Sequence, residues 1–340
     1  MLRLPPFRFR SPRSLAEAAA ILAGEGAAEG APVRCVAGGT DLWPNMKRRH
    51  QKASTVVSLM RIPGLRGIRA IRTMRATGNG GELRLGATTT LTEIEESPEV
   101  GSRFPALARA VDSISAPVLR NMGTLGGNVC LDTRCTYYNQ NEEWRRSIDF
   151  CLKEEGTVCW VAPGSSRCWA VSSSDAAPML CALGARVRLV ASGGERVIPI
   201  TALYSNDGIE YLAKRPDEIV AEVLVPAESA DGSCRAAFHK LRRRGSIDFA
   251  VLTVAATVWT GRGGVVERAR IYLGAVSSCP APAEAAARAL EGHPLSTATI
   301  AEAARLARDA ATPLDNTDFQ AQWRGAMVER FTARTLAELS

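Results

Sequence analysis

The chain has few histidines and no long apolar run, and each shortage excludes a class of function. Its three histidines, His50, His239 and His293, are dispersed over 340 residues. Neither a histidine-rich metal site nor a serine or cysteine protease arrangement therefore gains support. No apolar segment approaches the roughly 20 residues that a membrane span needs, so no membrane association is expected. No signal peptide is present, which predicts a cytoplasmic protein whose cysteines are reduced or metal-bound.

Aromatic residues are also few, at 6% of the chain, and no helix-turn-helix, zinc-finger or RNA-binding signature occurs. The formal net charge is +7, but the basic residues are scattered, with small concentrations at Arg3–Arg13, Lys47–Arg49 and Arg242–Arg244. A nucleic-acid partner is therefore not expected. A mildly basic surface that meets an anionic partner subunit or cofactor accounts for the charge.

The length of the chain predicts two or three domains, because 340 residues exceed what a single hydrophobic core normally holds. Residues 7–65 have the pattern of a small α/β unit, with a helix at Ser14–Gly24 and strands at Val33–Ala37 and Ser54–Ser58. After further strands and helices, a boundary is expected within Lys214–Asp217. Strands resume at Glu218–Pro226, and three helices close the chain.

Two glycine-rich turns indicate a nucleotide ligand. Residues 36–42, with the sequence VAGGTDL, follow a strand and precede a helix. Glycine lets the backbone approach a ligand closely, and a helix N-terminus offers free N–H groups to a pyrophosphate. Residues 120–128, RNMGTLGGN, form a second such turn, where Thr124 and Asn128 supply side-chain hydrogen bonds. Neither turn is GxGxxG, so a Rossmann fold is not indicated, but two such turns in one domain favour a dinucleotide.

Several motifs, in the same order along nearly the whole chain, resemble those of the FAD-binding subunits of the molybdenum hydroxylases. They are Ser11-Pro-Arg-Ser-Leu-Ala-Glu-Ala18, Ala37-Gly-Gly-Thr-Asp-Leu42, Leu85-Gly-Ala-Thr-Thr-Thr90, Arg120-Asn-Met-Gly-Thr-Leu-Gly-Gly-Asn128, Ser174-Asp-Ala-Ala-Pro178 and Lys240 ahead of Arg243 and Asp248-Phe-Ala250. The resemblance implies an α+β protein. An FAD-binding domain at 1–216 would consist of two α/β subdomains of the PCMH type, at about 1–65 and 66–216. A smaller α+β domain with an antiparallel sheet and terminal helices would follow at 217–340.

The resemblance also implies which residues bind FAD. The diphosphate would lie on two sets of residues, Val36, Ala37, Gly38, Gly39, Thr40, Asp41 and Leu42 in the first turn and Thr124, Leu125, Gly126, Gly127 and Asn128 in the second. Asp175 would hold the ribityl or ribose hydroxyls, Ile114 and Val220 would pack near the flavin, and Lys240 would lie at the isoalloxazine end. Simpler interpretations stay open. Asp175 is also placed to cap a helix, Lys240 to be a solvated strand residue, and Ile114 and Val220 to be core residues.

Cysteines are concentrated in one polar and aromatic stretch at 131–173. Nine cysteines occur in the chain, and five of them fall between Cys130 and Cys168. The last four, Cys135, Cys151, Cys159 and Cys168, are separated by 15, 7 and 8 residues. Four thiolates suit a [4Fe–4S] cluster or zinc, although structural zinc sites usually contain closely spaced cysteine pairs. Both metals, and Cys130 in place of Cys135 as the first ligand, stay open at this point.

This stretch resembles an insertion in one branch of the family, the flavin subunits of the 4-hydroxybenzoyl-CoA reductases. In that branch four matching cysteines hold an additional [4Fe–4S] cluster. The resemblance implies that a low-potential, ferredoxin-like donor passes electrons through this cluster and FAD. They would then reach a [2Fe–2S] small subunit and a molybdopterin-containing large subunit, where an aromatic thioester is reductively dehydroxylated. A dimer of heterotrimers is implied, with no catalytic residue on this chain. Two alternatives remain: an FAD subunit of the aldehyde or xanthine dehydrogenase type, and a zinc-stapled flavin-binding scaffold.

Overall fold

A computed structural model describes residues 2–26, 32–75, 78–230 and 232–340. Within these residues the first sheet is parallel, with strand order β1-β3-β2. Its strands are β1 (Arg8–Arg10), β2 (Val33–Val36) and β3 (Thr55–Ser58), and the helices beside them are α1 (Leu15–Gly26) and α2 (Leu42–Lys47). The central strand β3 is buried along its whole length. This arrangement confirms the predicted α/β unit, because parallel neighbours need helical crossovers.

The second sheet has five antiparallel strands in the order β4-β5-β8-β6-β7. The strands are β4 (Ile68–Arg75), β5 (Gly78–Gly86), β6 (Arg186–Ala191), β7 (Gly194–Pro199) and β8 (Ile219–Pro226). Helices cover it, with bounds α3 (Leu91–Glu95), α4 (Pro98–Arg103), α5 (Pro105–Asp112), α6 (Pro117–Arg120), α7 (Leu125–Val129) and α9 (Ala176–Ala182). The largest apolar core lies between these helices and the sheet.

Strand β8 corrects the predicted boundary after residue 216. It is the central strand of the five-stranded sheet, and its residues 219–225 are all buried. Ile219 and Ala221 also pack against α1 of the first subdomain. The chain therefore completes the first domain with β8 and leaves it only after Pro226. The Lys, Pro and Asp residues at 214–217 belong to a surface loop within the first domain. The strand that follows them, β8, returns to the middle of the sheet.

The third sheet is antiparallel, in the order β12-β11-β10-β9, and three helices pack on it. The elements are β9 (Cys234–Leu241), β10 (Leu252–Thr260), β11 (Val266–Gly274), β12 (Ala281–Pro282), α10 (Glu284–Leu290), α11 (Thr297–Asp309) and α12 (Ala321–Ala337). Arg324 of α12 is fully buried and donates to the carbonyls of Val251, Ala275 and Leu314. Among the described helices, none has the length and apolarity to cross a bilayer.

Residues 131–173 form a packed segment with little regular structure. It contains one helix, α8 (Glu142–Ser147), and an isolated bridge between Arg134 and Val171. Arg145 is 1% exposed, pairs with Glu154 and donates to the carbonyl of Arg48. The buried arginine thus ties both halves of the segment to the end of α2. Charge pairing and aromatic packing, rather than a helical or strand period, order this part of the chain.

Candidate functional site

A cavity of about 700 Å³ lies between the two subdomains of the first domain. Its volume is within the range of about 300–1,000 Å³ typical of small-molecule and cofactor sites. Both glycine-rich turns line it, and so do three further predicted contacts, Ile114, Asp175 and Val220. The structure therefore brings together, in one cavity, residues that are more than 180 positions apart (36 to 220) in the sequence. Leu125 and Lys240 are not among its lining residues.

The first turn contributes every one of its predicted residues, 36–42, to the cavity wall. Gly39 has a φ of +73°, which a residue with a Cβ rarely adopts. A Cβ at Gly38 would lie 1.6 Å from the carbonyl oxygen of Met122 in the second turn. The two turns are thus in backbone contact, and a glycine is required where they meet.

The second turn is held by its own side chains. Thr124 accepts a hydrogen bond from the N–H of Gly127 at 3.2 Å and caps α7. Asn128 Oδ1 accepts from the Ser174 hydroxyl at 2.7 Å and from the N–H of Ala176 at 3.3 Å. Both side chains accept hydrogen bonds from protein groups. The predicted hydrogen bonds of Thr124 and Asn128 therefore stabilise the turn and the start of α9. Leu125 is buried beneath the turn.

Asp175 presents an unsatisfied acceptor to the cavity. The side chain is buried, and its Oδ2 accepts from Lys240 Nζ at 2.7 Å. Its Oδ1 is buried and has no hydrogen-bond partner among the described residues. Burial raises the pKa of the Asp175 carboxyl, and the Lys240 ammonium opposes that rise. Because a buried acceptor without a donor is costly, Oδ1 fits a hydroxyl of a bound ligand, as the sequence predicted for FAD.

Lys240 lies behind Asp175 rather than in the cavity wall. It belongs to β9 of the C-terminal domain, and its side chain is 3% exposed. Besides Asp175, its ammonium donates to the carbonyls of Ser113 at 2.9 Å and Asp248 at 3.0 Å. All three ammonium protons have acceptors, so Lys240 positions Asp175 and links the two domains.

Arg134 is a cavity residue that the sequence analysis did not single out. It pairs with Asp41 of the first turn, and its guanidinium lies 5.1 Å from the centre of the Phe249 ring. Asp41, Arg134 and Phe249 all line the cavity. Arg134 brings a buried positive charge to the turn that is predicted to hold a diphosphate. No local pattern marks Arg134, because its partners Asp41 and Phe249 are distant in sequence and meet it only in the folded chain.

The four predicted metal-binding cysteines converge on a second, small cavity. Cys135, Cys151, Cys159 and Cys168 all line it and are 5–7% exposed. The rest of the wall is mostly apolar or aromatic, formed by Tyr137, Tyr138, Leu152, Lys153, Trp160, Val161 and Ala170. Cys130 lines the large cavity instead, so the structure places Cys135 in this set. Cys135, Cys151, Cys159 and Cys168 are free thiols.

Backbone N–H groups point at the sulfurs of this cavity. Ala170 donates to Cys168 Sγ at 3.4 Å, and Cys135 and Cys151 each accept from two N–H groups that follow them. Burial raises the pKa of Cys135 to about 11 and that of Cys168 to about 12, against these hydrogen bonds. Thiolates here would also repel one another, since the Cys151 and Cys159 charges raise the pKa of Cys135 further. A cationic metal centre would relieve both penalties.

Zinc and a [4Fe–4S] cluster place different demands on four cysteine ligands. Within the described residues, no group of three or more His, Cys, Asp or Glu side chains is arranged to hold one metal ion. A tetrahedral zinc site with bonds of about 2.3 Å needs its sulfurs about 3.8 Å apart. A cubane is bulkier and separates its four cysteines. The four cysteines around a common cavity are a donor set that both kinds of centre use.

Charged and aromatic residues connect the two cavities. Tyr138 lines the cysteine cavity, and its ring centre is 5.0 Å from that of His50, which lines the large cavity. Lys153 of the cysteine cavity pairs with Asp132 of the large cavity at 2.8 Å. Burial would raise the pKa of Asp132, but Lys153, Gln51 and Arg134 together hold this pKa below its ordinary value. These contacts were not predicted, since only the fold brings residues 50, 132, 138 and 153 together.

Comparison with known proteins identifies the class. Residues 5–228 match the family described as the FAD binding domain in molybdopterin dehydrogenase, and residues 236–339 match the CO dehydrogenase flavoprotein C-terminal domain. The protein belongs to this family and is an FAD-binding oxidoreductase subunit of the molybdenum hydroxylase type. The family assignment confirms the predicted FAD and the predicted fold class, and the gap between the two matches falls after β8.

Individual relatives agree over nearly the full length. The medium chain of carbon monoxide dehydrogenase from Hydrogenophaga pseudoflava is 26% identical over 98% of this chain and 96% of its own. The FAD-subunit of nicotinate dehydrogenase from Eubacterium barkeri is 25% identical over 86% of this chain and 82% of its own. The solved structure of the Hydrogenophaga pseudoflava carbon monoxide dehydrogenase superimposes with a TM-score of 0.78, covering 98% of this chain and 97% of that chain.

Proposed function

We propose that this chain is the flavin and iron–sulfur subunit of a molybdenum hydroxylase-type complex of the 4-hydroxybenzoyl-CoA reductase branch. Its FAD would occupy the large cavity, and a [4Fe–4S] cluster would bind to Cys135, Cys151, Cys159 and Cys168. A ferredoxin-like donor would supply electrons. A [2Fe–2S] small subunit and a molybdopterin-containing large subunit would receive them and reduce the aromatic thioester, in a dimer of heterotrimers.

The observation that carries the proposal is the convergence of four buried cysteines on one cavity next to the flavin cavity. Aromatic and apolar side chains keep water from the sulfurs, and exposure to solvent is one of the properties that set a cluster's potential. The Cys135-Thr-Tyr-Tyr-Asn-Gln140 run and the cysteine order support the assignment to the reductase branch.

The residues of the large cavity would bind and orient FAD rather than act as acids or bases. The two glycine turns would bring backbone N–H groups close to the diphosphate, and Arg134 would hold the first turn in place through its ion pair with Asp41. Asp175 Oδ1 would accept from a ribityl or ribose hydroxyl, while Ile114 and Val220 would contact the ring system. Bound FAD supplies the redox chemistry, since it exchanges electrons singly or in pairs.

A second candidate is the FAD subunit of another molybdenum hydroxylase, of the aldehyde or xanthine dehydrogenase type. Similarity to the aldehyde oxidoreductase FAD-binding subunit (29% identical) and the putative xanthine dehydrogenase FAD-binding subunit (22% identical) of Escherichia coli favours it. It shares the FAD site and the partner subunits with the first proposal and differs in its substrate.

Metal and flavin analysis of anaerobically purified protein tests the proposal. We expect FAD together with about four irons per chain. Stoichiometric zinc without iron would refute the cluster. Cys151→Ser should abolish the cluster and leave FAD bound, because the cysteine cavity is separate from the flavin cavity. Cys279→Ser is the matched control, since Cys279 is a half-buried thiol outside that cavity, and it should retain both.

A further inference from the structure

We propose that Lys153 tunes the reduction potential of the iron–sulfur cluster by holding a buried positive charge beside the cysteine ligands. The inference rests on the function proposed above, in which four cysteines bind that cluster. Lys153 would be a positioning residue for charge, with no bond to iron. The proposal concerns the only lysine in the wall of the cysteine cavity, among the residues that the structure describes.

The ammonium of Lys153 is buried and held in one place. Its side chain is 6% exposed. It donates to Asp132 Oδ1 and to Thr133 Oγ1, both at 2.8 Å, and to the carbonyl oxygen of Gly208. A lysine has three N–H donors, so these acceptors satisfy all of them. A long and usually mobile side chain is thereby fixed next to the cavity.

This charge acts directly on the cysteine cavity. Lys153 lines the cysteine cavity together with Cys135, Cys151, Cys159 and Cys168. Gly208, whose carbonyl accepts from Lys153, also packs on Cys168, because a Cβ at Gly208 would lie 2.6 Å from the sulfur. Net charge is one of the properties that set the potential of an iron–sulfur cluster. A reduced cluster carries one more negative charge than the oxidised one, so a nearby cation stabilises the reduced form.

Asp132 carries the opposite charge, so removing it should shift the reduction potential of the cluster in the opposite direction. Its carboxylate is 8% exposed and lines the flavin cavity rather than the cysteine cavity. Removing Lys153 should make the cluster harder to reduce, whereas removing the charge of Asp132 should make it easier. If the pair served only to hold two loops together, loss of either partner would disturb the cluster in the same way.

The experiment is a potentiometric titration of the cluster, followed by electron paramagnetic resonance, in the anaerobically purified protein. Lys153→Met should lower the equilibrium constant for cluster reduction about tenfold, which is about 59 mV for a one-electron couple. Asp132→Asn should shift the potential upward, and Lys153→Arg should restore nearly the original value. Lys52→Met is the matched control. Lys52 is 65% exposed and pairs with Glu155, where solvent screens its charge, so its removal should leave the potential unchanged.

The possible outcomes separate this inference from the function on which it rests. Protein with FAD but no iron would refute the cluster itself, before any titration. With iron present, an unchanged potential in Lys153→Met overturns the role of Lys153, and so do shifts of the same sign in Lys153→Met and Asp132→Asn. If Lys153→Met fails to retain its cluster, Asp132→Asn and Lys153→Arg decide. An unchanged potential in Asp132→Asn, or one far from the original in Lys153→Arg, then overturns the proposal.

Discussion

Gly38→Ala should separate the two glycine turns and weaken FAD binding. A Cβ at this position would lie 1.6 Å from the carbonyl oxygen of Met122 and 2.4 Å from its carbonyl carbon. Ordinary contact begins at 3.4 Å, so the turns must move apart by about 1.8 Å (3.4 minus 1.6). Both contacts are to backbone, which cannot rotate away as a side chain can. Overpacking of this kind costs about 1–3 kcal/mol, and a backbone clash belongs at the upper end.

The same displacement reaches the ligand, because both turns line the large cavity. A loss of about 1.4 kcal/mol in binding free energy is tenfold in affinity, so we expect FAD to bind at least about tenfold more weakly. The assay is readdition of FAD to flavin-free protein, followed by quenching of flavin fluorescence. A thermal melt of the same samples reports stability.

Two other glycines provide matched controls. Gly127 is in the second turn, but a Cβ there would approach only Thr124 Oγ1, at 3.2 Å, so Gly127→Ala should have a small effect. Gly24 lies in α1 with nothing within 4 Å of its Cβ position. Gly24→Ala should leave FAD binding unchanged and stabilise the helix by about 1 kcal/mol. If Gly38→Ala binds FAD as tightly as the wild-type protein, the contact between the turns does not shape the site.

Three further changes test the structure. Lys240→Met would leave Asp175 buried without its partner and should lower the free energy of unfolding by about 3–5 kcal/mol. Chemical denaturation measures this loss. Lys47→Met is the exposed control, and an equally small effect of Lys240→Met would contradict the prediction. Gly208→Ala should reduce iron content without reducing FAD, because its Cβ would meet Cys168 Sγ at 2.6 Å; equal loss of both cofactors would argue against separate cavities. Burial lowers the pKa of His50 to about 4, below the unfolded value of about 6.5. The neutral ring therefore contributes about 3 kcal/mol of stability above pH 6.5, which is lost as the pH falls toward 4. Denaturation midpoints should fall less over this range in His50→Gln than in the wild-type protein. Identical pH profiles would refute the lowered pKa of His50.

Local sequence was sufficient to predict most elements of the fold. The helix after Ser14, the strand before Gly38 and the helices near the C-terminus follow from capping residues, periodicity and turn glycines, all of which act between near neighbours. The boundary near residue 216 was not predictable in this way. Strand β8 pairs with β5 and β6, and such pairing is decided by distant partners.

The candidate site also contains features that local sequence predicts and features that depend on distant partners. Glycine turns and clustered cysteines are visible in the sequence because chemistry restricts which residue types can approach a phosphate or bind iron. The motif predicts Lys240 at the isoalloxazine end of the flavin. The structure adds that three acceptors from different elements, one of them Asp175, enclose its ammonium.

By itself, the sequence determined the family, the FAD cofactor and the set of thiols that gather in one segment. Only the tertiary structure decided which charges surround them. Lys153 meets Asp132, and Tyr138 meets His50, across loops that have no regular period. Such pairs depend on how separate segments pack, and a side chain acquires its electrostatic role only when burial removes water and a partner from elsewhere in the chain replaces it.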